Sequence, residues 1–380
     1  MSRIWAGVDI GREHRRSVVI NPDGERLLFR RILNDEIGDV LALDTDVLWA
    51  VDLSHGGAAL LLLSHDQPMV YITGLTVHRA SASYRGEGKT DAKDACQARM
   101  RRDLGLLRPG DETGVDLRTL TGRRTDVMCD RNRQIDRLRA QLLEIFPASE
   151  REMEVTKQGP IIVLTGYQTP AAIRRSGTKR IETWLRNRMV RNAASLARTA
   201  VEAAKAEHTA LPGEKLAAAM VVRLAKGVIA LDEEIAEVDA LIEARFREHP
   251  HVEVILSLPG MGKQLGAVLL AATGGDMEAF GSANRLACLA PAPRDSGPVS
   301  GNLRRPRRFQ GGLLNAMYLS ASSSLESCPA SKPYYAPKRP EGKGHRQALL
   351  ALARRRINVL WAMICDDACY QATPAVTAAA

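Results

Sequence analysis

Aromatic side chains make up only 4% of the 380 residues, too few for a binding surface built mainly on stacked single-strand bases. The six cysteines, Cys96, Cys129, Cys288, Cys328, Cys365 and Cys369, contain no CxxC pair, which argues against a structural zinc site and for a reducing compartment. Long apolar runs are also missing. The run GGAALLLL at 56–63 falls far short of the ~20 residues that span a bilayer, and no basic-then-apolar leader opens the chain. The expectation is a reduced, cytoplasmic, soluble protein that makes no use of a membrane. Acids are in deficit: 53 Lys and Arg stand against 44 Asp and Glu, a net charge of +9. Such a surplus favours a polyanionic partner, because each neutralised phosphate releases counterions, and nucleic acid leads. The length suits two or three domains.

What is present centres on residues 84–94, YRGEGKTDAKD, a glycine-rich basic loop followed by Asp91 and Asp94. A helix opening at Thr90 places both carboxylates on one face. Two further aspartates close β-like runs, Asp9 in IWAGVDIG and Asp52 in VLWAVDLSH. Hard divalent cations take several oxygen ligands, and four carboxylates from three elements form a candidate site for one. Two carboxylates about 4 Å apart repel by ~4 kcal/mol at an effective dielectric near 20, so convergence requires a cation or shared protons. Taken singly, each aspartate has an ordinary role at a turn or cap.

The runs at 4–10, 15–20 and 26–32 read as three strands, with NPDG supplying turn chemistry before the third. VLWAVDL is a fourth strand, GGAALLLLSH a short helix and MVYI a fifth strand. Three consecutive strands, then strand, helix and strand, is the order of a ribonuclease-H-like sheet, with Asp9 and Asp52 on neighbouring strands. Residues 113–148 follow as a long helix on Leu117, Leu120, Met128, Ile135, Leu138, Leu142 and Ile145, which Pro147 terminates. Arg123, Arg124, Arg131, Arg133, Arg137 and Arg139 cover its other surface, either as a solvated face or as a nucleic-acid contact. One or two basic helices occupy the stretch IETWLRNRMVRNAASLARTAVEAAKAEH. Past the Leu211-Pro212-Gly213 break, Val221, Leu224, Val228, Leu231, Ile235, Val238 and Ile242 alternate steps of three and four. That is a coiled-coil seam, whose partner is either the 113–148 helix or another subunit.

Residues 252–272, VEVILSLPGMGKQLGAVLLAA, have a helix-hairpin-helix pattern. Gly260 and Gly262 would let backbone N–H groups approach a phosphate, with Lys263 adding charge, although small helical proteins also turn on Pro-Gly pairs. A Pro, Gly and Ser-rich loop then carries Ser296 and Ser300 ahead of Arg304, Arg305, Arg307 and Arg308. Taken alone, Ser296 is a turn residue. From 304 to 356 twelve Lys and Arg face two acids, Glu326 and Glu341, which marks a phosphate-facing surface. The last helix buries Leu349, Ala353, Ile357, Leu360 and Ile364 and presents Arg354, Arg355 and Arg356, and the tail TPAVTAAA frays.

The set VDIG, WAVDL, YRGEGKTDAKDA, LTGYQTPAAIRR, LPGMG, RDSGPVSGNLRRPRR and EGKGHRQALLALARRRINVLWA resembles, over nearly the whole chain, the DEDD transposases of insertion sequences. Members of that family are bridge-RNA-guided DNA recombinases. The resemblance implies a RuvC-like domain at 1–112, a helical coiled-coil region at 113–248, a mainly helical transposase domain at 249–370 and a tail at 371–380. It also assigns Asp9, Asp52, Asp91 and Asp94 to the acidic positions and Ser296 to the nucleophile. The cofactor it implies is Mg²⁺ or Mn²⁺. The implied partners are double-stranded DNA at the element ends and target, a guide RNA, and further copies of the chain as a dimer or tetramer.

Three departures stand out. Asp52 replaces the commoner Glu and is one methylene shorter. The helix DACQARMRR behind Asp94 is about four residues shorter than in relatives, which keeps its face nearly unchanged and removes ~6 Å. RLACLAPAP ahead of Ser296 is about three residues short. The reading is a transposase that performs metal-dependent strand exchange through Ser296. Its rivals are a RuvC-like hydrolytic DNA endonuclease and a decayed, non-catalytic nucleic-acid binder.

Overall fold

The structure is a computed structural model that describes residues 4–10, 15–32, 47–51, 68–71, 106–107, 112–207, 213–275, 277, 280–289 and 310–371. It is mainly helical with one mixed sheet near the N-terminus. The chain forms two compact units, one from 1–116, 253–261 and 269–380, the other from 117–252 and 262–268.

In the first unit, strands β1 (Ile4–Ile10), β2 (Arg15–Ile20) and β3 (Arg26–Ile32) form an antiparallel meander. The Pro-Asp-Gly turn before β3 forms as its chemistry predicts. Asn21 Oδ1 accepts from the Glu25 amide at 2.8 Å, and Gly24 takes the positive φ of 86° that a side chain would resist. Strand β4 (Val47–Val51) pairs parallel with β1, and β5 (Met69–Tyr71) pairs parallel with β4. A two-residue strand without a sequence signal of its own, β6 (Leu106–Leu107), closes the order β3-β2-β1-β4-β5-β6. Successive strand residues point to opposite faces, yet Val47, Leu48, Trp49 and Ala50 are all buried. Both faces at β4 are therefore covered, as expected for a parallel strand. The helix expected at 56–65 lies outside the described residues.

The second unit begins within α1 (Glu112–Ile145), which buries Leu117, Val127, Ile135, Leu138 and Leu142. Phe146 breaks the helix with ψ 63°, and Pro147 opens the next one, α2 (Pro147–Glu152). The long helix thus ends ahead of Pro147 as expected, and the same ring sits at the first position of the next helix, where its missing N–H costs nothing. Three helices follow, α3 (Gln158–Gly166), α4 (Pro170–Arg186) and α5 (Ala193–Lys205). Thr169 caps α4 by accepting from the Ala172 amide at 3.2 Å. Helix α5 packs through Ala193, Ala197, Ala200, Ala203 and Ala204, small enough to bring backbones close.

Helix α6 (Glu214–Arg247) runs antiparallel to α1, since Arg123 meets Glu234, Arg124 meets Asp239 and Arg131 meets Asp232. Arg133 pairs with Asp130 and Arg139 with Glu150. The arginine-rich surface of α1 is thus largely occupied by carboxylates of its own unit, rather than a bare cationic face. Val221, Ala225 and Val228 share a core with Ile135, Leu138 and Leu142, so this half of the α6 seam is covered within the chain. Leu231 and Ile235 are only half-buried.

The first unit resumes with α7 (Val252–Ser257). Helix α8 (Lys263–Thr273) starts in the second unit and ends in the first. Helices α9 (Ala283–Leu289), α10 (Gly311–Ser327), α11 (Ser331–Tyr335) and α12 (His345–Cys365) complete the first unit. Helix α12 packs on α9, α10 and α11, burying Leu349, Ala353, Ile357, Leu360 and Ile364 as its periodicity predicted.

Candidate nucleic-acid interface

The register of β1 against β4 positions the first two acids. Val8 pairs with Val51 in parallel register, and Asp9 is the next residue on β1. On its other side Asp9 pairs with Arg16 of β2. Asp52 follows Val51 in sequence and lies outside the described residues, as do Asp91, Asp94, Ser296, Ser300, Arg304, Arg305, Arg307 and Arg308. Among the described residues, no group of three or more His, Cys, Asp or Glu could hold a metal. Nor is any described helix long and apolar enough to cross a membrane.

The hairpin between α7 and α8 is described throughout. The Met261 amide donates to the Leu258 carbonyl at 2.9 Å, and Gly260 has φ 78°. A Cβ on Gly260 would stand 2.7 Å from the Ser320 carbonyl oxygen and 2.9 Å from the Ser324 amide nitrogen. Glycine is required here both for backbone conformation and for the close seat of the turn on α10. Gly262 differs, because a Cβ there would meet open space. Lys263 is bonded to Glu243, and hydrogen bonds from Lys263 and then Arg247 hold the Glu243 carboxyl below the usual range. The hairpin tip therefore carries less uncompensated charge than its sequence suggests.

The three arginines of α12 have different roles. Arg354 is half-exposed and donates to Asn284 Oδ1. Arg355 is exposed, with its guanidinium 4.8 Å from the centre of the Tyr334 ring, over which Lys338 also lies at 4.5 Å. Arg356 is only 4% exposed, which corrects its expected place on the presented face. Its Nη2 donates to the Pro259 carbonyl and, at 2.8 Å, to Ser320 Oγ. It thus ties the hairpin turn to α10 and α12. The sequence reading missed Ser320 and Tyr334 because their partners lie 36 and 21 positions away, with no local pattern to link them.

Burial pushes the Arg356 guanidinium down to about 10, below its ordinary value, against the opposing pull of Cys328 and Tyr370. At neutral pH it is charged in both folded and unfolded chains. The burial cost is relieved only as pH rises through about 10 toward the ordinary guanidinium range, where the unfolded chain holds more protons than the folded one. The guanidinium is kept despite that cost because its removal orphans two acceptors and leaves a void. Arg356→Ala should lower the free energy of unfolding by about 3 kcal/mol in urea titration. A loss below about 1 kcal/mol would mean that the two hydrogen bonds merely offset the burial cost.

Comparison with known proteins brings in evidence from outside the geometry. A sequence model of the DEDD transposases of IS110 type matches residues 6–147, and one of the transposase family of IS116, IS110 and IS902 matches residues 252–336. These ranges contain all four aspartates, the hairpin, Ser296 and the Arg304–Arg308 cluster. The chain is 54% identical to the 42 kDa protein of insertion element IS900 of Mycobacterium paratuberculosis, covering 99% of each chain. That alignment runs over 396 positions against 380 residues here, so at least 16 of its positions have no residue in this chain. Identity is 46% to the 44.8 kDa protein of IS116 of Streptomyces clavuligerus, over 99% of this chain and 98% of that one. It is 34% to the 43.6 kDa protein of IS110 of Streptomyces coelicolor, over 97% and 95%.

Proposed function

The chain belongs to the IS116/IS110/IS902 family of transposases, and from that premise we propose that it exchanges DNA strands through a serine nucleophile, Ser296, beside a carboxylate-held divalent cation. The observation that carries the reading furthest is the Val8–Val51 register. It ends at the residues that precede Asp9 and Asp52 in sequence, on adjacent parallel strands that lie about 4.8 Å apart in any sheet. The meander followed by two parallel strands supports a ribonuclease-H-like domain at 1–112, followed by a helical coiled-coil region at 113–248 and a transposase domain at 249–370.

An all-oxygen set of Asp9, Asp52, Asp91 and Asp94 fits a hard cation such as Mg²⁺ or Mn²⁺. When bound, such an ion supplies Lewis-acid stabilisation of a phosphate oxygen. In the proposed chemistry, Ser296 Oγ forms a bond to phosphorus. The bond from phosphorus to one deoxyribose oxygen breaks, and that oxygen leaves as a hydroxyl after gaining a proton. Arg304, Arg305, Arg307 and Arg308 neutralise charge building on the phosphate. A hydroxyl of a second strand then attacks the phosphoserine ester, rejoining DNA and restoring the serine without external energy. Gly262, Arg354 and Arg355 contribute phosphate contacts on double-stranded DNA. A guide RNA, transcribed from sequence beside the reading frame, chooses the sites.

The test is capture of a labelled DNA strand on the denatured protein. An adduct supports the serine mechanism, cleavage without one supports a hydrolytic nuclease, and salt-sensitive binding without scission supports a decayed copy. Strand exchange at two ends calls for a homo-oligomer. Light scattering should give a dimer or tetramer of the 41.5 kDa chain, and a monomer at working concentration on DNA would contradict that.

A further inference from the structure

Residues 155–201 carry nine Lys and Arg against one acid, Glu182, and none of the roles proposed above uses them. The apolar side of this stretch is buried through α3, α4 and α5, while Arg186, Arg188 and Arg191 at the α4–α5 turn remain exposed. The turn is a tight helix stop. Arg188 N donates to Leu185 O at 3.0 Å, Met189 N to Arg186 O at 2.9 Å and Val190 N to Leu185 O at 3.2 Å. Stops of this kind place one residue in the left-handed region, where glycine is usual. Here that residue is Met189, at φ 59°.

The same side chain is 89% exposed, the highest value among the described large apolar residues. Positive φ is strained for a residue bearing a Cβ, and an apolar tip in water gains nothing from folding. Two costs on one residue, each of which glycine or asparagine would avoid, point to a use outside the fold. The surroundings say what that use is. Arg188, the residue before Met189, lies 3.8 Å from the centre of the Trp184 ring and donates to the Trp184 carbonyl at 3.2 Å, which fixes its guanidinium over that ring. Trp184 is itself wedged in place, since a Cβ on Gly166 would stand 2.6 Å from its ring. Arg191 follows two residues after Met189, and the single nearby acid, Glu182, is paired with Arg186.

A flexible apolar tip flanked by exposed arginines is the chemistry of proteins that pry open a base step from the minor groove. We propose that the α4–α5 turn contacts double-stranded DNA, with Met189 wedged at a base step and Arg188 and Arg191 on the flanking phosphates. The proposal rests on the reading that this transposase acts on duplex DNA. Double-stranded RNA fits less well, because its wide, shallow minor groove offers no slot for a single side chain. Flexible pyrimidine–purine steps are the preferred sites.

The experiment uses the full chain and duplexes with 2-aminopurine at TA steps, compared with a structured RNA of equal length. The wild type should raise 2-aminopurine fluorescence on binding the DNA. Met189→Gly should keep or raise the melting temperature, because glycine suits this backbone, yet lose the fluorescence rise and about tenfold in affinity. Met189→Leu should keep both. Arg188→Gln and Arg191→Gln should each lower the slope of log affinity against log salt by about 0.9. Unchanged affinity and fluorescence with Met189→Gly, on DNA that the wild type binds, would overturn the wedge alone. Affinity lost on the RNA but not on the DNA would overturn the choice of partner. A wild type that binds no duplex would overturn the duplex-DNA reading itself, and the wedge with it.

Discussion

Ser296→Ala is expected to lower strand exchange by at least about 10³-fold and to abolish the covalent protein–DNA adduct, while duplex affinity stays within about twofold. The size follows from the role. A nucleophile has no substitute in the same step, and the catalysis that survives its loss comes from binding and charge stabilisation alone. The affinity persists because the serine supplies no charge, whereas twelve Lys and Arg lie between residues 304 and 356 and phosphate contacts dominate binding. Ser300, four residues on, is the internal control, since both hydroxyls precede the same run of arginines in the sequence. Ser300→Ala should retain the adduct. An adduct that survives Ser296→Ala and vanishes with Ser300→Ala would move the chemistry to the neighbour, and cleavage with no adduct from either serine would leave a hydrolytic nuclease.

How far the sequence foretold the fold depended on how local each cause was. Strands β1 to β3 were legible from their β-like runs and from the Asn21-Pro22-Asp23-Gly24 turn, where all the determining atoms lie within a few residues. Helix α12 was legible because one periodic stripe is buried along its length. The arginines of α1 were not, since Arg123, Arg124 and Arg131 meet acids more than 100 residues away on α6. A composition argument sees the cations and misses the carboxylates that fold back onto them. Arg356 shows the same failure in the core: its charge suggested a surface, but a carbonyl 97 residues away holds it inside. The candidate site divides along the same line. Neighbouring strand ends for Asp9 and Asp52 could be read from strand order, and the β1–β4 register is consistent with them. No local signal in the sequence could bring Asp91, Asp94 and Ser296 to one place, because such a juxtaposition depends on long-range packing rather than on periodicity.

Asp91→Asn and Asp94→Asn are each expected to weaken divalent-cation binding by more than about 100-fold and to abolish strand exchange, with nucleic-acid affinity largely kept. Asparagine preserves size and one carbonyl oxygen but removes the negative charge and half of the ligand oxygens. Substitution of residues merely supporting a metal ligand already costs about 10–100-fold, and a ligand itself should cost more. The remaining acids should not compensate, because a hard cation takes several oxygen ligands and each loss leaves the set one carboxylate short. Two readouts separate this from general damage. Mn²⁺ titration followed by calorimetry should show binding in the wild type and none in either variant over the same range. Melting temperature without metal should be unchanged or higher in the variants, since in the proposed four-carboxylate site removing one charge would relieve repulsion. Chelation by EDTA should reproduce the variants' loss of strand exchange in the wild type, and full activity in EDTA would refute the metal assignment. A variant that binds Mn²⁺ normally yet fails to exchange strands would instead place that aspartate outside the ligand set, leaving Asp9 and Asp52 to be tested in the same way.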